Sequence, residues 1–190
     1  MAQTSIFPAE GLRTERISLQ AASRLRAEAL QSYYTTNRGH LTPWEPLRPC
    51  SFYTSQSIEN RLEAMEKQMR NESALHLLLF HRDSEQLIGD CNFTNIVRGP
   101  FQACHLGFSI AQDREGQGLM RECLKTAIGH VFGELGLHRI MANYQAENKR
   151  SARLLNKLGF EREGTARAYL KINGAWADHV LTSLINPADH

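Results

Sequence analysis

The chain reads Ile-Ala-Gln-Asp-Arg-Glu-Gly-Gln-Gly-Leu-Met from Ile110 to Met120 and continues directly into an amphipathic pattern. Gly116 and Gly118 let the backbone come close to a ligand and turn its N–H groups outward. Those donors, with the positive end of a helix dipole, suit a pyrophosphate. From Leu119 onward the apolar residues recur at helical spacing. We therefore interpret this stretch as a phosphate-binding entry into a helix.

Periodicity and turn residues on either side predict the order β-α-α-β-β-β-α-β-α-β-β. The predicted strands cover 16–20, 74–80, 87–97, 101–110, 139–145, 161–172 and 176–185, and the other predicted helices cover 23–34, 54–71 and 151–158. Asn173-Gly174 predicts a tight hairpin between the last two strands. Pro43, Pro46 and Pro49 exclude a helix between residues 37 and 49. The expected fold is a mixed α/β sheet with helices on its faces.

Composition narrows the class of protein. The 190 residues suit one domain, and the net charge of +2 gives no nucleic-acid signature. Residues 1–10 lack a signal pattern, and no apolar run reaches membrane length. The four cysteines show no paired spacing and indicate reduced thiols in a cytoplasmic protein. The eight histidines lack metal-ligand spacing, so no metal is expected.

Several short motifs resemble the GNAT acetyltransferases, which use acetyl-CoA, and among them the RimJ type of bacterial ribosomal-protein-alanine N-acetyltransferases. The motifs are LTPWEP at 41–46, FTNIVRG at 93–99, GLM at 118–120, HRIMANY at 138–144 and WADHVL at 176–181. The resemblance runs roughly from Arg13 to Ile185. It implies one GNAT domain over residues 1–190, with a core at about 13–186 and a short N-terminal extension. We expect a monomer or a weak dimer.

The resemblance also implies where acetyl-CoA binds. The sheet would be mostly antiparallel and splayed between its fourth and fifth strands, so that Phe108, Ser109 and Ile110 could pair with the pantetheine arm. Polar backbone groups in the gap would stabilise a developing oxyanion. The family's pyrophosphate motif, Gln/Arg-x-x-Gly-x-Gly/Ala, falls on Glu115-Gly116-Gln117-Gly118-Leu119-Met120. Glu115 and Met120 depart from that pattern, and a carboxylate beside a pyrophosphate is unfavourable unless it turns to water.

Direct attack of an amine on the acetyl-CoA carbonyl requires a proton acceptor and a group that protonates the leaving thiolate. Asn148 and Ser151 are three residues apart at a helix start and share a face. In related enzymes a serine at this position lies near the CoA sulfur, which implies that Ser151 protonates the thiolate and that Asn148 contacts the cofactor. Both residue types also cap helices well.

The identity of the base stays open. His105 stands where many relatives carry an acidic residue, and a second acidic position used by other relatives, before Tyr169, is an alanine here. Glu45, His105, His179 and an ordered water remain as candidates. Asp178-His179 can instead be a structural pair that orients the last strand.

A proline-rich loop is expected to cover the acceptor pocket. Glu45 in this loop would hold the substrate ammonium, and Trp44 would line the pocket or anchor the loop on the core. Tyr169 and His179 are the other expected acceptor-binding residues.

The expected activity is transfer of acetyl to the N-terminal alanine of a protein, and the resemblance implies a small-subunit ribosomal protein. A free α-amine has a pKa of about 7.7–8.0, so about a quarter to a third of it is neutral near pH 7.5, against about one lysine in a thousand. An N-terminus therefore demands less of the base. A small-molecule amine as acceptor, and a non-catalytic CoA-binding module for ribosome assembly, remain as alternatives.

Overall fold

A nine-stranded sheet forms the centre of the molecule. The computed structural model describes residues 6–189, so Met1–Ser5 of the predicted N-terminal extension and His190 lie outside the described residues. The strands are β1 Leu12–Arg13, β2 Ile17–Ala21, β3 Leu75–His81, β4 Leu87–Val97, β5 Ala103–Ile110, β6 Arg139–Met141, β7 Tyr144–Gln145, β8 Glu161–Ile172 and β9 Ala175–Ile185. They follow the order β1-β2-β3-β4-β5-β6-β9-β7, with β8 paired to β9. Only the β5–β6 pair is parallel among these described strands.

Five helices surround this sheet in the described part of the chain. They are α1 Ala27–Thr36, α2 Arg38–Leu41, α3 Ser55–Arg70, α4 Leu119–Gly133 and α5 Lys149–Lys157. Ser23 accepts a hydrogen bond from the Leu25 N–H ahead of α1, and Thr54 accepts one from the Ser57 N–H ahead of α3. Both capping residues agree with the predicted helix starts.

Two apolar cores lie on opposite faces of the sheet. Alternation along β3 sends Leu77 into a core with α4 and α5, whereas Leu78 packs against α1 and α3. Phe7 is buried in the first of these cores, so the extension contributes to it before residue 13. The predicted mixed sheet with helices on both faces is confirmed.

The stretch from 37 to 49 differs from its prediction. It contains α2 and a 3-10 turn, Thr42–Trp44, although three prolines were expected to exclude helix. Pro43 lies in the first turn, where a missing N–H costs nothing and the fixed φ of proline is helical. The Thr42 hydroxyl also donates to the Arg38 carbonyl at 2.7 Å. The prediction that residues 37–49 contain no helix was therefore wrong for these short helical turns.

The sheet opens beside the last part of β5. Residues 103–105 pair with β6, but within the described chain residues 106–110 pair only with β4. The predicted strand 139–145 is broken, because the Ala142 N–H bonds the Thr182 carbonyl and β7 pairs with β9 instead. The expected splay is thus present, and it positions the site.

Candidate active site

A cleft of about 670 Å³ lies at the opening of the sheet. It is bounded by the end of β5, the loop into α4, the first turns of α5 and the loop after α2. Most of the residues predicted for the site line it: Trp44, Glu45, Phe108, Ser109, Ile110, Glu115, Gly116, Gly118, Leu119, Met120, Asn148 and Ser151. The cleft therefore joins the predicted pyrophosphate loop to the predicted acceptor loop.

The predicted pyrophosphate loop is held in shape by its own glycine backbone and by Arg16. Gly116 and Gly118 have φ values of 73° and 79°, a left-handed backbone that favours glycine. Arg16 donates from Nη1 to the Gln117 carbonyl at 3.1 Å and from Nε to the Glu122 carboxylate at 2.8 Å. Gln117 itself does not line the cleft, because its side chain bonds back within the loop. The first N–H groups of α4 are thereby presented without intrahelical partners.

Glu115 does not turn to water. Its carboxylate forms an ion pair with Arg150 and lies 3.5 Å from His40 Nε2, with 17% of the side chain exposed. The guanidinium group of Arg150 compensates the negative charge of this partly buried carboxylate. A carboxylate in the phosphate loop is therefore accommodated by a cation from α5.

The sequence reasoning missed a group of cations along the cleft. They are Arg114, Arg121, Lys149, Arg150, Arg153 and Lys157. Lys149, Arg153 and Lys157 are four residues apart, and that spacing on a helix could have revealed a shared basic face. Clustered cations beside a helix N-terminus suit a ligand that carries several phosphates.

The start of α5 gives its two polar residues different tasks. Asn148 accepts a hydrogen bond from the Ser151 N–H at 3.0 Å and so caps the helix. The Ser151 hydroxyl lines the cleft and has no hydrogen-bond partner among residues 6–189. It is free to donate to a bound group.

Glu45 is a half-buried carboxylate in the cleft wall. Burial raises its pKa, and Arg48, whose Nε lies 3.5 Å away, partly offsets that effect. Its backbone carbonyl accepts a hydrogen bond from the Asn173 N–H at 2.9 Å, so the β8–β9 turn supports the loop. Trp44 lines the same wall and remains 40% exposed.

Besides Gln117, three predicted residues lie outside the cleft lining. His105 on β5 is half-buried, its pKa is lowered by burial, and its Nδ1 has no partner in the described chain. The Tyr169 hydroxyl accepts a hydrogen bond from Asn143 Nδ2 at 3.2 Å. His179 is 4% exposed, and its Nδ1 lies 3.0 Å from the Ala177 carbonyl. The ring centroids of Tyr169 and His179 are 5.5 Å apart, so the two rings pack together.

A buried polar network lies behind the cleft. Asp90 on β4 is 5% exposed and stands opposite Ser109 on β5. Its Oδ1 accepts a hydrogen bond from the Ser109 hydroxyl at 2.8 Å, and its Oδ2 accepts one from the Tyr34 hydroxyl at 2.7 Å. Tyr33 joins through its own hydroxyl, 2.8 Å from Ser109 Oγ. Sequence spacing gives no sign of this network, because it depends on strand register.

No group of three or more His, Cys, Asp or Glu side chains among residues 6–189 could hold a metal ion. No helix in the same range is long and apolar enough to cross a membrane.

Comparison with known proteins agrees with the fold. Residues 16–161 match the acetyltransferase (GNAT) domain. The chain is 44% identical to the [ribosomal protein uS5]-alanine N-acetyltransferase of Escherichia coli K12, over 96% of this chain and 94% of that one. The structure of the ribosomal-protein-S5-alanine acetyltransferase of Vibrio fischeri matches with a TM-score of 0.89 and 37% sequence identity, and the match covers 93% of this chain and 96% of that one. The structure of Mycobacterium smegmatis RimJ in complex with CoA-disulfide matches with a TM-score of 0.84 and 26% sequence identity, and the match covers 89% of this chain and 81% of that one. The chain belongs to the GNAT acetyltransferases.

Proposed function

We propose that this protein transfers acetyl from acetyl-CoA to the N-terminal alanine of a ribosomal protein of the small subunit. The identity to an alanine N-acetyltransferase over nearly the whole chain supports the acceptor. The observation that carries the chemistry is the single cleft that joins the glycine loop to Glu45 across the splayed strands. The reaction would take place in the cytoplasm, where ribosomal proteins are made.

Each wall of the cleft would contribute one part of the reaction. The N–H groups at 116–120 would bind the pyrophosphate, and the open edge of β5 at 108–110 would pair with the pantetheine arm. Glu45 would hold the α-ammonium from the opposite wall. After the amine attacks the thioester carbonyl, the tetrahedral intermediate expels the CoA thiolate, and the unbonded Ser151 hydroxyl would protonate it. The proton that the attacking nitrogen loses as the amide forms would restore the serine through water.

Thiol release from acetyl-CoA tests the proposal. Acceptors would be a peptide that begins with alanine, the same peptide with a blocked N-terminus, and the blocked peptide with an added internal lysine. We expect release with the free N-terminus alone. Release with free amines but with no peptide would favour a small-molecule acetyltransferase, and acetyl-CoA binding without turnover on any amine would favour the non-catalytic module.

Substituting Ser151→Ala should lower kcat about tenfold and leave the KM for acetyl-CoA within about twofold. The loss falls on kcat because the hydroxyl acts as the thiolate leaves. Steady-state kinetics with varied acetyl-CoA would measure both values. Ser57→Ala, a partly exposed serine in the first turn of α3, is the control. An unchanged kcat would remove Ser151 from the mechanism.

Substituting Arg153→Ala should weaken acetyl-CoA binding about fivefold at low salt, with a smaller effect at high salt, because one phosphate-facing cation is lost. Isothermal titration calorimetry at two ionic strengths would measure this. Arg70→Ala, at the end of α3 and away from the cleft, should leave the affinity for acetyl-CoA unchanged at both ionic strengths. Equal affinities for the Arg153 variant and the wild type would contradict the role of the basic face.

A further inference from the structure

Asp90 on β4 is a buried carboxylate behind the cleft, and Arg61 from α3 is the cation that faces it. Asp90 accepts two hydroxyl hydrogen bonds and forms no ion pair in the part of the chain that the structure describes. A carboxylate within hydrogen-bond reach of a hydroxyl group is placed to take the proton of that hydroxyl. One of its two hydroxyl partners, Ser109, opens onto the cleft.

Ser109 connects the cleft to Asp90 because of its place on β5. The neighbouring side chains Phe108 and Ile110 pack against the α4 core, so Ser109 points to the opposite face, toward α1. It lies in the part of β5 whose outer edge is open. An amine that enters beside Glu45 therefore meets the Ser109 hydroxyl close to the opening.

The hydrogen bonds give this hydroxyl a direction. Burial raises the pKa of Tyr33 well above its ordinary value, so the phenol keeps its proton. Since Ser109 donates to Asp90, Tyr33 must be the donor in its contact with Ser109. A serine oxygen has two lone pairs, and Tyr33 uses one of them. The other is available to an N–H group in the cleft.

We propose that Ser109 passes the proton of the acceptor's α-ammonium to Asp90. This rests on the proposed function and assigns the base that the sequence left open. The Ser109 oxygen takes a proton from the substrate nitrogen while its own hydroxyl proton moves to Asp90 Oδ1. The nitrogen lone pair then forms the bond to the thioester carbonyl. Asp90 returns the proton through Ser109 to water after the product leaves, so Ser109 is unchanged.

A pH-dependence experiment on this relay must account for the titratable and charged groups that face Asp90 from the neighbouring elements. They are Tyr33 and Tyr34 from α1, Arg61 from α3, His76 from β3 and Glu45 from the loop after α2. Burial raises the pKa of both tyrosines and lowers the pKa of His76, so above about pH 7 the tyrosines stay protonated and the histidine neutral. The acceptor amine, with a pKa of about 7.7–8.0, is then the group that titrates between about pH 7 and pH 9.

The experiment compares kcat for an alanine-started peptide across that pH range. Ser109→Ala should lower kcat ~30-fold at about pH 7 but only about threefold near pH 9, where the amine is already neutral. Asp90→Asn, which keeps the size of the side chain, should show the same profile. Ser109→Thr, which keeps the hydroxyl, should retain kcat within about threefold.

Tyr34→Phe is the matched control, because it removes the other hydroxyl bond of Asp90, on the side away from Ser109. Its kcat should stay within about threefold at every pH. A loss in Ser109→Ala that is constant with pH, or an equal loss in Tyr34→Phe, would overturn the relay and leave Asp90 a structural role. Wild-type turnover is measured first: its absence would refute the proposed function, whereas turnover with an unaffected Ser109→Ala would refute the relay alone.

Discussion

Gly118→Val should weaken acetyl-CoA binding about 100-fold, equivalent to ~2.7 kcal/mol. Gly118 precedes α4 with a φ of 79°, and a β-branched residue in that left-handed region is strongly strained. A Cβ there would lie 3.7 Å from Arg16 Nη2, an ordinary van der Waals contact, so the cost of the substitution comes from backbone strain and not from a clash. Relief of the strain would rotate the N–H groups away from the pyrophosphate.

Isothermal titration calorimetry with acetyl-CoA would measure this loss. Gly129→Val is the control, because Gly129 lies within α4 with open space around its Cβ and no positive φ. We expect it to bind acetyl-CoA within about twofold of the wild type, since only helix propensity changes. Wild-type affinity in the Gly118 variant would show that the loop does not bind the pyrophosphate.

Glu45→Gln should raise the KM for an alanine-started peptide ~30-fold, since a hydrogen bond to a charged group is worth about 1.5–3 kcal/mol. The KM for acetyl-CoA should stay within about twofold, because a different wall binds it. Glu59→Gln, an exposed residue on α3, is the control. An unchanged peptide KM would show that Glu45 does not hold the ammonium.

The pH dependence of the same KM gives a second measurement. Burial raises the pKa of Glu45, so its charge is present above that pKa and lost as pH falls through it. Peptide binding should therefore weaken on acidification at a higher pH than an exposed glutamate would give. The Gln variant should lack this acidic loss, and a matching loss in both proteins would assign it to another group.

Local signals were sufficient for several elements. β4 coincides with the predicted 87–97, because turn residues flank it on both sides. Asn173 and Gly174 have φ values of 45° and 84°, as a two-residue hairpin turn requires. The family motifs predicted the GNAT fold and most of the residues in the cleft wall.

Features that depend on distant parts of the chain could not be predicted. The break between β6 and β7 arises from a bond between Ala142 and Thr182, forty positions away in the chain. Asp90 faces Ser109 only through the register of β4 and β5. The pairing of Glu115 with Arg150 likewise joins two separate elements. A linear pattern carries no record of these contacts, which is why the base stayed open.

The ion pair between Glu115 and Arg150 also affects how the cycle ends. CoA and acetyl-CoA carry the same phosphates, so every cation in the cleft retains product as strongly as it recruits substrate. A carboxylate that competes for one of those cations weakens both complexes equally. When departure of product limits turnover, looser retention increases the rate. Glu115 would thus shorten the residence time of the product, which a fully basic loop would extend.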